Sequence, residues 1–132
     1  MHYSRRFLLA FLIICTFFLP TQQNRAQSGT VVRGWVSDSG CAPGHVSSGK
    51  YTGTNPDCSK ECVAKGFKTV LIDPDHRVLL TVSNPLAARK NVGDFVEITG
   101  DVDLDKKTVR IQTLKMLEIG RAMCDVPDKA KK

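Results

Sequence analysis

The chain lacks several features that would point to a particular chemistry. No Cys-x-x-Cys occurs among its five cysteines, so the short dithiol loop common in redox catalysts is missing. Without Cys-x-x-Cys-His there is no covalent haem attachment. No Ser-His-Asp order, paired-carboxylate spacing or phosphate loop stands out, and no catalytic constellation is expected. Aromatic residues make up 7% of the sequence. Beyond the amino-terminal segment they are Trp35, Tyr51, Phe67 and Phe95, thin material for stacking bases or sugars and more simply read as core. No apolar run is long enough to cross a bilayer. The longest, Phe7 to Leu19, is broken only by Cys15 and Thr16. Its thirteen residues at ~1.5 Å each cover roughly 20 Å, against a hydrocarbon core of ~30 Å.

That run, preceded by Arg5-Arg6 and followed by Pro20 and by Asn24-Arg25-Ala26, has the basic, apolar and small-residue order of a secretory signal peptide over residues 1–26. A lipid-anchored Cys15 fits less well, because Ile14 stands before it where a small residue belongs. The expectation is an exported protein, periplasmic or extracellular, with no stable membrane span once the signal is removed. The formal charge of +6 is then mostly signal and tail. Three of the 19 basic residues (Arg5, Arg6, Arg25) and none of the 13 acidic ones fall in the signal, leaving a balance of +3, with Lys129, Lys131 and Lys132 at the end. A nucleic-acid surface needs a clustered basic face, so nucleic acid is not an expected partner.

The remaining residues suit a single domain over 27–119 with a flexible basic tail over 120–132. Thr30 to Val36 reads as a first strand, with Val32, Gly34 and Val36 on one face and Val31, Arg33 and Trp35 on the other; Gly34 marks a bend or a close backbone approach. Ser37 to Pro56, rich in Ser, Gly, Pro, Asp and Asn, reads as a long loop. Asn55-Pro56-Asp57 has the cap, first-turn proline and acidic residue of a helix start, and that helix is expected to end at Lys65 with Gly66 as its stop. Phe67–Ile72 and Val78–Val82 form a hairpin about the turn Asp73–Arg77. Asn84–Asn91 is a short helix or irregular link. Phe95–Gly100 and Thr108–Leu114, the latter with room to extend to Leu117, pair about a polar turn. The acidic positions Asp101, Asp103 and Asp105 resemble the start of a calcium loop, but Lys106 and Gln112 stand where Gly and Glu are needed, so a solvated turn is expected. The order of five strands, a central hairpin and a helical link before strand four matches a mainly β, five-stranded OB-like (oligonucleotide/oligosaccharide-binding) barrel with a short helix inserted between strands one and two.

Between those two strands lies the most informative stretch, with Cys41, His45, Cys58 and Cys62. After the signal, these three cysteines and Cys124 remain. An even count in an oxidising compartment favours disulfides, and four cysteines allow three pairings. Cys58 and Cys62 share one helical face, with Cβ atoms ~5–6 Å apart, too far for a direct bridge. Each would reach outward, to Cys41 and to Cys124, clamping loop and tail to the barrel. The alternative is a metal site. Cys41-x3-His45-x12-Cys58-x3-Cys62 has the short-pair, twelve-residue, short-pair layout of compact zinc sites, in a different ligand order, and thiolates with an imidazole also suit copper. Asp38 would then hold the second nitrogen of His45. The first expectation is therefore a non-enzymatic binding or structural module for an unknown small ligand or protein, its loop clamped by disulfides. The others are zinc or copper binding and an oligonucleotide or polysaccharide binder.

The pattern Asp38-Ser39-x-Cys41-x3-His45 after the Gly34-Trp35 strand, followed by Cys58-x3-Cys62-x3-Gly66, resembles a family of small exported bacterial proteins of unknown function. The likeness runs from about Thr30 to Leu117 and leaves Cys124 outside. It implies an OB-like barrel and no assigned activity.

Overall fold

Alternation of side chains along the strands decides which residues face inward. In the computed structural model, which describes residues 29–121, β1 (Thr30–Asp38) buries Val32 and Val36 on one face and leaves Val31 in solvent. β2 (Thr69–Asp73) and β3 (Val78–Val82) form the expected hairpin, and β4 (Phe95–Asp103) and β5 (Thr108–Glu118) form a second one. β1 pairs with β2 through its second half and with β4 through most of its length. A short parallel contact, Thr81 with Thr108 and Val82 with Val109, joins β3 to β5. The five strands thus close into a ring in the order β1-β2-β3-β5-β4. Inside it lie Val32 and Val36, Leu71, Leu80 and Val82, Val96 and Ile98, and Val109 and Ile111, contributed by the successive strands.

Gly34 sits where β1 runs between its two partners. A Cβ there would lie 2.3 Å from the Ile72 carbonyl oxygen on β2, so the close approach expected from the sequence is real and needs glycine. A 3-10 helix over Pro85–Asn91 links β3 to β4. Asn84 pins its start to β5, donating to the Ile111 carbonyl at 2.8 Å and accepting from the Ile111 N–H at 2.8 Å.

The long loop after β1 is only partly irregular, which corrects the sequence reading. β1 continues to Asp38, and Ala42–Ser47 forms a short helix, α1. Ala42 and Val46 of α1, with Tyr51 and Trp35, cover Val70 and Ile72 on the outer face of the sheet. β2 is therefore buried at all five positions, and its continuous apolar run follows from having cover on both faces. The second helix, α2 (Pro56–Ala64), starts as expected: the Asn55 side chain accepts from the N–H groups of Asp57 at 3.0 Å and Cys58 at 3.1 Å. It stops at Gly66, whose φ of 98° is a left-handed conformation that glycine adopts without strain. Phe67 then belongs to the helix exit, donating its N–H to the Cys62 carbonyl, and β2 begins two residues later than expected. Gly120, expected to belong to a loose tail, donates its N–H to Asp94 Oδ1 at 3.0 Å. The signal segment, Cys124 and residues 122–132 lie outside the described residues. Among the described residues, no helix is long and apolar enough to cross a membrane.

Candidate metal centre

A turn at Asp38 and a buried hydroxyl cluster bring the cysteines together. β1 ends at Asp38, which is fully buried. Its Oδ1 accepts from the N–H groups of Gly40 at 2.8 Å and Cys41 at 2.9 Å, turning the chain sharply so that Cys41 stands at the start of α1. α2 is fixed against β1 through Ser59. Its hydroxyl lies 2.7 Å from that of Thr54 and 3.3 Å from that of Ser37, and Ser37 and Thr54 lie 2.5 Å apart. All three residues are buried. Three hydroxyls can satisfy one another in such a ring, because each both donates and accepts. This sets the rotation of α2, and Cys58, next to Ser59, faces Cys41.

The result is a cluster of three sulfurs from two chain segments. The Sγ atoms of Cys41, Cys58 and Cys62 all lie within 4.8 Å of one another. Those of Cys41 and Cys58 are 3.7 Å apart. Two sulfurs on one tetrahedral ion at ~2.3 Å each stand about 3.8 Å apart. Cys58 is exposed and the other two are half-buried, so an ion could enter from solvent.

His45 does not join this group. It lies four residues after Cys41 on α1, and its Nδ1 is buried with no hydrogen-bond partner. Asp38 Oδ2 is likewise buried and unpartnered, so the expected bond between Asp38 and His45 does not form through these atoms. The carboxylate is spent on the turn instead.

The same turn recurs at Asp73, with its carboxylate satisfied. Asp73 ends β2, is fully buried, and accepts through Oδ1 from the N–H groups of Asp75 at 2.9 Å and His76 at 3.0 Å. Its Oδ2 is taken by His76 Nδ1 at 2.7 Å. At Asp38 the residue three positions on is Cys41, and Oδ2 has nothing. A buried carboxylate oxygen without a donor or a cation is costly. The sequence reading of Asp73, Asp75 and His76 as a plain turn agrees with their bonding.

The thiols carry the imprint of this arrangement. Burial, then the hydrogen bond with Cys58, then the charge of Asp38 push the Cys41 thiol up to about 12. Burial and then the charge of Asp38 push Cys62 upward too. Thiols raised in this way are poor nucleophiles. A bound cation reverses the effect, because coordination deprotonates a thiol outright. The donor set therefore fits a thiophilic ion: three sulfurs within 4.8 Å of one another, two of them at ligand spacing, with an uncompensated carboxylate oxygen beside them.

The remaining candidates are dispersed. Trp35 and Phe95 pair with each other, ring centroids 5.1 Å apart. Tyr51 lies under the Arg77 guanidinium at 5.3 Å, and Phe67 borders a separate groove. In the β4–β5 turn Asp103 accepts from the Lys106 N–H at 2.8 Å and pairs with its ammonium at 3.1 Å, as a solvated turn does. Compared with known protein families, with characterised proteins and with solved structures, the chain shows no significant match.

Proposed function

We propose that the protein is an exported OB-like barrel that binds a thiophilic cation, Zn²⁺ or Cu⁺, through Cys41, Cys58 and Cys62 at the β1–α1–α2 edge, and that it works by binding rather than by catalysis. The observation that carries this reading is the convergence of the three sulfurs within 4.8 Å. The orphaned Asp38 oxygen supports it, since a nearby cation, or a water or ligand held by one, answers its charge. The strand order β1-β2-β3-β5-β4 supports the OB-like assignment, and the basic-apolar-small order of residues 1–26 supports export. Three protein ligands leave a coordination position open for water or a further ligand.

Cobalt(II) titration of the reduced protein tests this reading. A sulfur-to-cobalt charge-transfer band should grow to one equivalent. Cys41→Ser, Cys58→Ser and Cys62→Ser should each weaken it, whereas His45→Ala should leave it. A band that needs His45, or that is undiminished by loss of any one of the three cysteines, contradicts the three-sulfur site.

The second reading is the disulfide clamp. It is favoured by the export signal and by the even count once Cys124 is included. One bridge within the cluster would leave the third sulfur to reach Cys124.

A further inference from the structure

A groove of about 630 Å³ runs between the second half of α2, the chain entering β2 and the 3-10 helix. That volume lies within the ~300–1,000 Å³ of small-molecule clefts. Its apolar lining includes Val63, Phe67, Leu86 and Val92, and Phe67 is 47% and Leu86 80% exposed. Large apolar side chains grouped in a concave, solvent-open site mark a binding surface. The groove is also lined by Lys60, Lys68 and Arg89 and by no carboxylate. None of these three cations is in a salt bridge among the described residues. A strand of nucleic acid would call on a longer basic track than three side chains, and the apolar floor would go unused by phosphate alone.

We infer that this groove binds a small amphipathic anion, a free alkyl carboxylate, with its chain along Val63, Phe67 and Leu86 and its head among Lys60, Lys68 and Arg89. The site is separate from the thiol cluster. Lys60 and Val63 face the groove, whereas Cys58 and Cys62 lie on another side of α2. Its occupation therefore does not depend on whether the sulfurs hold a metal or a disulfide.

The test is an amide NMR titration of the purified protein with dodecanoate below its micelle concentration, set beside dodecyltrimethylammonium and acetate. Saturable shifts at Phe67, Leu86 and Arg89 are expected, with dodecanoate bound at least about tenfold tighter than either control, a difference of ~1.4 kcal/mol. The exposed double variant K68E/R89E, its fold checked by circular dichroism, should lose that preference. Equal affinity for the cationic amphiphile, shifts centred elsewhere, or a preference that persists in K68E/R89E would overturn the assignment.

Discussion

Loading the thiol cluster with a divalent ion should release three protons, one for each sulfur in the group. Soft ions bind thiolates, so every thiol that is protonated beforehand must give up its proton. Burial, the contact with Cys58 and the Asp38 charge hold Cys41 up to about 12, and burial and Asp38 raise Cys62. Protons therefore compete with the ion throughout the neutral range. Raising the pH removes the competitor and tightens binding; acid drives the ion off. Each displaced proton contributes one decade in apparent affinity per pH unit. Three together give roughly three decades, or about 4 kcal/mol, per pH unit. Calorimetric titration of Zn²⁺ into the reduced protein, in buffers of different ionisation heat, counts the protons directly. The count should be close to three for the parent protein and for His45→Ala, and close to two for Cys62→Ser. A count of one or less, or an affinity flat between about pH 6.5 and 7.5 where thiols are ordinarily protonated, would refute the three-thiolate site.

Three further expectations concern the fold that carries the cluster. Asn55→Ala removes the acceptor for the Asp57 and Cys58 N–H groups and should cost about 1 kcal/mol. That is roughly 4–8 °C in Tm for a domain of this size, read by thermal circular dichroism, and metal affinity should fall with it because α2 carries two of the sulfurs. Gly34→Ala drives a methyl group into the Ile72 carbonyl oxygen and should cost about 1–3 kcal/mol in urea unfolding; a change within ~0.5 kcal/mol would mean that β1 and β2 do not approach so closely. His76→Ala strips the partner from the buried Asp73 Oδ2 and should cost about 1–3 kcal/mol at neutral pH by the same assay.

Features set by local chemistry were legible in the sequence. The cap at Asn55, the stop at Gly66 and the turn at Asp73 depend on residues a few positions apart, and the structure has all three. The inward face of β1 followed from simple alternation of Val32 and Val36 against Val31. What escaped notice depends on contacts distant in sequence. α1 hides in a Pro- and Gly-containing stretch because its support comes from Val70 and Ile72 on β2. The hydroxyl ring of Ser37, Thr54 and Ser59 leaves no periodic signal, although it sets the rotation of α2. The extension of β4 to Asp103 runs through polar residues and is fixed by pairing with Thr108 across the turn. At the site, spacing identified the three cysteines that converge. It overreached for His45, because sharing a segment with Cys41 does not bring the imidazole to the sulfurs. Asp38 was singled out for the wrong bond: a carboxylate two and three residues before free N–H groups turns the chain first. The resemblance of that turn to the one at Asp73 was the available clue.

The central claim is that Cys41, Cys58 and Cys62 hold one ion together. Intact-mass spectrometry of the protein under non-denaturing conditions, after supply of Zn²⁺ or Cu⁺, is the decisive measurement. A species heavier by one metal ion, less the protons displaced, is expected, and acidification should return it to a chain in which these three thiols can be alkylated without reductant. A metal-free species about four hydrogens lighter than the reduced chain, with Cys41, Cys58 and Cys62 blocked as disulfides, would overturn it.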